Sequence, residues 1–233
     1  MWDLGQIADV LADGLRARAA ELDAEDSVYG LDAMSELDLH PVLRNSLSRA
    51  GFGVIPEQPY AGDPWSRPKE SARDRCDIVL TPNPDTPLAD DALEIKERDK
   101  AGGTLFEASV RDQPLVAQGL APEDAFWLEI KTVGQHSVVA GVAGANQTYA
   151  SALLACRGDL AKLSGDDRIR FGALCVVLFA EDEPIARHDL DALLHKCLDE
   201  DLPVSAPSVR VFGITERIGN TVTAVLLAPV RLL

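Results

Sequence analysis

The sequence is poor in cysteine and has no cysteines at close spacing. Its four cysteines are far apart along 233 residues and form no Cys-x-x-Cys pair. No histidine stands at metal spacing from any of them, so a zinc site of the common Cys/His kind is not expected. The spacing instead predicts reduced thiols and a cytoplasmic location. These cysteines are Cys76, Cys156, Cys175 and Cys197.

Long apolar runs are absent as well. No run reaches the roughly 18 to 20 residues that would span a bilayer, so we expect no membrane partner. Hydrophobic residues nevertheless make up 46% of the chain. That share is ordinary for a globular protein, and the length is sufficient for a single domain with a substantial core. We therefore expect one domain over residues 1–233.

Basic residues are scarce relative to acidic ones. The chain has 22 Lys and Arg against 38 Asp and Glu, a net charge of −16. This balance argues against a protein whose main surface grips nucleic acid, because phosphate contacts need Lys and Arg. It suits a basic protein partner or a bound divalent cation. The densest basic stretch, over residues 58–75, is the best candidate for phosphate contacts. It contains Arg67, Lys69, Arg73 and Arg75, with Tyr60 and Trp65 beside them.

The hydrophobic patterns predict alternating helices and strands. Helices are expected over 2–24, 33–50, 146–163 and 185–199. Strands are expected over 53–57, 76–80, 126–132 and 168–180, with a hairpin near 209–215 and 221–229. This order predicts an α/β (α+β) class, with a central mixed sheet flanked by helices. The core spans about 33–180, with an insertion at about 83–122 and a C-terminal helix and hairpin at about 184–231. Within the insertion we expect a charged helix over 92–100 and a strand over 105–110.

The helix over 33–50 carries an acid on its apolar side. Glu36 lies at helical spacing from Leu39 and Leu43. Ser35 and Asp38 have the spacing of a capping box. Because a proline well inside a helix is costly, Pro41 predicts that the regular helix begins only near Asp38, with Glu36 in the turn before it.

The strand over 126–132 carries two opposite charges. Glu129 and Lys131 are two residues apart, so their side chains point to the same face. Burying such charges is costly without partners, and a metal ion or a phosphate would be a suitable partner. Asp77 begins a second buried strand, which is unusual because Asp is depleted in strands. The similar triplet Glu94-Ile95-Lys96 is surrounded by charged residues, which favours a solvated helix.

These side chains suit metal-assisted phosphodiester hydrolysis. Asp77 and Glu129 would supply carboxylate oxygens to Mg²⁺ or Mn²⁺, and the Ile130 carbonyl would add another oxygen. Glu36 would hold the metal directly or through water. Lys131 would orient or deprotonate the attacking water and offset charge on the phosphorus. Tyr149 lies in the first turn of a predicted helix, where an anion can be bound, and is a candidate substrate contact.

This arrangement resembles the PD-(D/E)XK nuclease superfamily, which has the restriction-endonuclease-like fold. The resemblance covers about 33–180 and implies a helix, three antiparallel strands, a helix and a further strand, with Mg²⁺-dependent cleavage of DNA or RNA. It places Asp77, Glu129 and Lys131 at the catalytic positions, and Glu36 at the acid of the first core helix. Gln135 and Gln147 match polar residues that some members place after the lysine strand, which makes them candidate substrate contacts.

The chain departs from the superfamily pattern in two places, and other interpretations stay open. Arg75-Cys76 stands where a proline often precedes the first acid, and 129 − 77 = 52 residues separate the two acids. A catalytically inactive protein of the same fold, acting as an interaction or assembly module, is the main alternative. Another is a purely structural ion pair between Glu129 and Lys131. The oligomeric state is open, and a homodimer is among the options.

Overall fold

The structure, a computed structural model, describes residues 2–62, 74–89 and 119–230. Five helices are described: α1 (Leu4–Ala24), α2 (Glu36–Arg49), α3 (Tyr149–Ala155), α4 (Arg157–Gly165) and α5 (Glu183–Asp199). The described strands are β1 (Gly53–Pro59), β2 (Arg75–Thr81), β3 (Phe126–Gly134), β4 (His136–Val139), β5 (Val142–Ala145), β6 (Phe171–Ala180), β7 (Ser208–Gly213) and β8 (Val222–Pro229). None of these helices is long and apolar enough to cross a membrane.

The main sheet of the described chain has six strands in the order β1-β2-β3-β6-β8-β7. β1, β2 and β3 are successively antiparallel, and β3 and β6 are parallel. β8 is antiparallel to both β6 and β7. The predicted C-terminal hairpin is therefore confirmed as β7–β8, and the predicted mixed sheet flanked by helices is confirmed.

Helices cover both faces of the sheet. α1 and α2 pack on one face against alternating residues such as Ile78, Leu128 and Val177. α3 and α5 pack on the other face against Leu174 and Leu226. This division follows from the two-residue period of a strand, which sends neighbouring side chains to opposite faces. β6 is buried on both faces, which explains its nearly continuous apolar sequence.

α2 begins earlier than the sequence predicts. The capping box of Ser35 and Asp38 is present, but the helix starts at Glu36 and contains Pro41. Proline has no backbone N–H, so Pro41 cannot donate the helical hydrogen bond to the Leu37 carbonyl. The capping box, together with a hydrogen bond from the Thr132 N–H to Glu36, holds the first turn in place despite this loss.

Two segments differ from the sequence-based expectations. The helix predicted over 146–163 is two helices, α3 and α4, which meet at Cys156. There the Cys156 N–H bonds to the Leu153 carbonyl and the Asp159 N–H to the Cys156 carbonyl, a tighter turn than an α-helix makes. The residues after β3 form a hairpin, β4–β5, which was not predicted. Its turn has positive φ at Ala140 and Gly141.

Several predictions fall outside the described residues. The basic residues Arg67, Lys69 and Arg73 and the neighbouring Trp65 are among them. The triplet Glu94–Lys96, the helix predicted over 92–100 and the strand predicted over 105–110 are outside the described residues as well.

Candidate active site

The candidate site forms where β2 and β3 stop pairing. Their ladder joins Leu80 to Phe126 and ends at Ile78 and Leu128, so Asp77 and Glu129 come next in register. There the Asp77 Oδ2 accepts a hydrogen bond of 2.7 Å from the Ile130 backbone N–H. The Asp77 carboxylate thus replaces a backbone acceptor of the ladder, which holds Asp77 beside the strand that carries Glu129.

Glu129 is a buried acid with a strongly shifted pKa. The residue is only 3% exposed to solvent. Burial is the main cause that raises the pKa of Glu129 to about 8. A hydrogen bond from the Tyr60 hydroxyl opposes the shift, whereas the negative charges of Asp77 and Asp159 increase it. A carboxyl group held beside other acids in this way is a natural position for a cation.

Lys131 is a partly buried cation among acids. Its Nζ lies 3.3 Å from the Glu36 Oε1 and 3.8 Å from the Asp159 Oδ2, and it donates to the Ile130 carbonyl at 3.0 Å. Burial acts to lower the pKa of Lys131, but Glu36, Asp159 and Asp77 together outweigh it and raise the pKa. The ammonium is therefore favoured, which suits a lysine that orients groups and offsets charge better than one that removes a proton.

Glu36 joins α2 to β3. One carboxylate oxygen faces Lys131, and the other accepts a hydrogen bond of 3.0 Å from the Thr132 backbone N–H. Glu36 therefore lies next to the predicted lysine, as the sequence-based site requires. The four predicted residues are thus brought together beside the start of β2 and the middle of β3: Glu36, Asp77, Glu129 and Lys131.

The sequence reasoning missed two residues of this site. Tyr60, assigned to a phosphate-contacting loop, is instead buried, stacks on Trp127 with ring centroids 6.2 Å apart, and donates to Glu129. Asp159 on α4 is buried and pairs with Lys162 at 2.8 Å as well as with Lys131. The only signal for Asp159 was an acid on a predicted helix, and most such acids are solvated.

A second group of metal-compatible side chains shares Asp77. His40 on α2, Glu57 on β1 and Asp77 each place a possible ligand atom within 4.8 Å of the others. His40 is buried, and its Nε2 has no hydrogen-bond partner among the described residues. His40 has no distinguishing signal in the sequence, because a histidine on the apolar side of a helix is more often part of the core.

The three candidate substrate contacts lie apart from these interactions. The Gln135 Oε1 accepts from the Glu181 N–H at 2.8 Å, and the Tyr149 hydroxyl donates to Asp189 at 2.5 Å. Gln147 is exposed and donates only a long bond of 3.4 Å to the Ala145 carbonyl. The polar ends of Gln135 and Tyr149 are thus engaged within the protein. A role for these residues in substrate binding stays a prediction.

The contacts also bear on the structural ion-pair alternative. Among the described residues, Lys131 pairs with Glu36 and Asp159, and the Glu129 carboxylate accepts from Tyr60. Neither charge uses the other as its ion-pair partner. The burial of Glu129 and Lys131 in one strand is therefore not explained by a simple pair between them.

Comparisons of the chain with models of protein families, with curated proteins and with solved structures found no match. Asp77 and Glu129 offer hard carboxylate oxygens, the ligands that Mg²⁺ and Mn²⁺ favour. Burial is the main cause of the raised pKa of Glu129, and the negative charge of Asp77 adds to it; a divalent cation held by both carboxylates would relieve that repulsion. The residues present fit such an ion.

Proposed function

We propose that the protein is a metal-dependent nuclease that hydrolyses phosphodiester bonds of DNA or RNA. The observation that carries the proposal is the convergence of Asp77 and Glu129 where the pairing of β2 with β3 ends. Lys131 follows Glu129 by two residues on β3. Two acids and an ammonium in this arrangement match the needs of phosphoryl chemistry, in which charge develops on the phosphate oxygens.

Asp77 and Glu129 would hold Mg²⁺ or Mn²⁺, and Glu36 would contribute directly or through water. When bound, such a cation acts as a Lewis acid on the phosphate and lowers the pKa of a bound water. The protein's own groups prepare this site. The Ile130 N–H orients Asp77, and the Tyr60 hydroxyl orients Glu129. Lys131, kept protonated by its acidic neighbours, would orient the attacking water and offset negative charge on the substrate.

The order of the core elements gives further support. α2 is followed by three successively antiparallel strands, then by α3 and α4, and then by β6 parallel to β3. This is the order that a resemblance to the PD-(D/E)XK nucleases implies. We therefore propose that the protein is a member of that superfamily with a restriction-endonuclease-like core, and that its partner is nucleic acid.

A cleavage assay with matched variants tests the proposal. Untagged protein is incubated with plasmid DNA, linear DNA, single-stranded DNA and RNA in Mg²⁺ or Mn²⁺. Lys131→Ala and Glu129→Gln are expected to reduce cleavage by at least about 100-fold, the usual cost of losing one group that stabilises the transition state. Lys196→Ala and Glu183→Gln, which change exposed residues of α5, serve as controls and should cleave like wild type. Equal cleavage by all five proteins would identify a contaminant and contradict the proposal.

The net charge of −16 favours a second candidate function. A surface so acidic suits a basic protein partner, and the fold would then act as an interaction or assembly module without catalysis. Calorimetric titration with Mg²⁺, which prefers oxygen donors alone, separates the candidates. Binding that disappears in Asp77→Asn and Glu129→Gln supports the nuclease. A wild-type protein that neither binds Mg²⁺ nor cleaves any substrate supports the module.

A further inference from the structure

His40, Glu57 and Asp77 form a second concentration of ligand atoms, and only Asp77 belongs to the proposed catalytic site. Their ligand atoms all lie within 4.8 Å of one another. Within the described chain, no hydrogen bond or ion pair connects any two of the three side chains. The three ligand atoms thus lie close together without bonding to each other, as metal ligands do.

Two of the donors are like charges on neighbouring strands. β1 and β2 pair Pro56 with Ile78 and Gln58 with Cys76, so Glu57, whose φ is 52°, and Asp77 fall between the same two pairs. Like charges directly opposite on neighbouring strands destabilise a sheet. The nearby Arg75 guanidinium donates to the Glu57 backbone carbonyl. A cation between the two carboxylates would remove their repulsion.

The third donor is a buried imidazole that lacks a partner. His40 is 6% exposed, and its Nε2 is buried with no hydrogen bond among the described residues. A buried polar atom without a partner costs free energy, and nearly all such atoms in folded proteins are paired. The orphaned nitrogen is independent of the two acids and indicates that something else satisfies this ring when the site is complete.

We infer that His40, Glu57 and Asp77 bind a divalent transition-metal ion. An imidazole with two carboxylates is a donor set suited to Zn²⁺, Mn²⁺ or a related ion, whereas Mg²⁺ prefers oxygen donors alone. Glu57 is exposed, so the ion reaches the site from solvent and the outer ligand adjusts around it. His40 and Asp77 are fixed by α2 and β2, and Asp77 is held further by the Ile130 N–H.

Because Asp77 serves both sites, this inference extends the proposed nuclease function, although metal binding by the cluster does not require cleavage. Asp77 has two carboxylate oxygens, and only one of them accepts from Ile130. Through the shared Asp77, the cluster would make the enzyme prefer transition metals over Mg²⁺.

The test uses the untagged protein, which is titrated with Zn²⁺ alone. Calorimetry measures the binding, and ¹⁵N NMR of labelled histidine rings reports which ring nitrogens are affected. His40→Gln and Glu57→Gln are compared with wild type. Glu57 is exposed, so its variant retains the fold even if the His40 variant does not. His188→Gln, which removes an exposed histidine of α5, controls for surface binding. Glu129→Gln reports separately on the catalytic site.

Wild type and His188→Gln are expected to bind Zn²⁺ with a large shift of one His40 ring nitrogen. His40→Gln and Glu57→Gln should each weaken Zn²⁺ binding at least about tenfold. Unchanged Zn²⁺ affinity in either variant, or an unshifted His40 signal, overturns the three-ligand site. If Glu129→Gln still loses cleavage in that case, the nuclease proposal is kept and the metal site is rejected. If His40 binds Zn²⁺ in a protein that cleaves no substrate, the metal site is kept and the nuclease proposal is rejected.

Discussion

The Tyr60 hydroxyl donates a hydrogen bond to the Glu129 carboxylate across 69 residues of sequence. The phenol ring stacks on Trp127, which lies two residues before Glu129 on the same face of β3. A buried carboxylate loses its hydration, and the hydroxyl replaces part of it. Tyr60 therefore orients the Glu129 carboxyl group and opposes the rise in its pKa that burial causes.

Removal of this hydroxyl should raise the pKa of Glu129 further. In Tyr60→Phe the buried acid keeps its desolvation and its acidic neighbours but loses the hydrogen bond that lowers its pKa. Leaving a buried polar group without its partner costs about 1–3 kcal/mol. We expect a loss of that size in the free energy of unfolding, measured with urea near neutral pH. ¹³C NMR of the carboxyl carbon should report the higher pKa. A pKa below that of wild type would contradict the assigned hydrogen bond.

The stability of the protein should fall as pH rises. Glu129 has a pKa of about 8 in the folded protein against an ordinary value of 4.5, so the folded state binds more protons between these values. The free energy of unfolding then decreases with pH through this window, and the loss is complete above about pH 8. Each unit of pKa difference is worth about 1.4 kcal/mol. Urea unfolding from about pH 5 to about pH 9 measures the slope.

Glu129→Gln supplies the comparison for that experiment. The amide does not titrate, so the variant should show a flatter pH dependence and greater stability than wild type above about pH 8. Glu183→Gln, at an exposed site on α5, should keep the wild-type slope. The same slope in wild type and in Glu129→Gln would show that another group is responsible.

A divalent cation should remove the same pH dependence. Mg²⁺ between the carboxylates favours the ionised form of Glu129 and lowers its pKa, because opposite charges in contact stabilise each other. At a concentration of about 100 times its dissociation constant, the ion should add about 2.7 kcal/mol to the free energy of unfolding. Thermal unfolding with Mg²⁺ or with a chelator measures the gain. A gain as large in Glu129→Gln as in wild type would show that Mg²⁺ binds at a site that does not include Glu129.

Glu36 should stabilise the protein through the contacts of α2 with β3. Glu36→Ala removes the acceptor of the Thr132 N–H and the partner of Lys131. We expect a loss of about 1–3 kcal/mol in chemical unfolding. Leu37 is the next residue of the same helix and is 75% exposed, so Leu37→Ala should change the stability by less than about 0.5 kcal/mol. Equal effects of the two changes would indicate that only helix propensity is involved.

Gly53 allows the start of β1 to approach the end of β2. A Cβ at this position would lie 2.0 Å from the Thr81 Oγ1 and 2.6 Å from the Asn83 backbone oxygen. Because backbone atoms cannot move aside easily, Gly53→Ala should cost about 1–3 kcal/mol in urea unfolding. A Cβ at Gly144 meets no described atom within 4 Å, which makes Gly144→Ala a suitable control. Similar stability of both variants would mean that the two strand ends separate readily.

The sequence predicts the catalytic candidates because local periodicity places them. Glu129 and Lys131 share a face of a strand by spacing alone, and Glu36 lies on the apolar side of a capped helix. The contacts of Tyr60 and Asp159 follow no such rule. Their positions depend on how β1 continues into the next segment and on where α4 crosses the sheet, which are set by tertiary packing over long separations in sequence.

Two local features also gave weak signals in the sequence. The β4–β5 turn has positive φ at Ala140 and Gly141, a geometry in which Asn-Gly or Asp-Gly is the usual pair. Because Ala140 is not a typical residue of this turn, the sequence does not predict the hairpin. The break between α3 and α4 at Cys156 lacks a proline, so hydrophobic periodicity continues across it. In both cases the chain adopts a conformation that its residue types do not favour.

The parallel pairing of β3 with β6 and the contact of Asp159 with Lys131 depend on the same crossover segment. A parallel pair requires a crossover, and here the β4–β5 hairpin, α3 and α4 provide it. α4 also carries Asp159 to Lys131. Glu36, Asp77 and Glu129 all precede this crossover in the chain. The segment that places β6 at the centre of the sheet thus also supplies Asp159 to the candidate site, so a change that displaces the crossover would disturb the sheet and the lysine environment together.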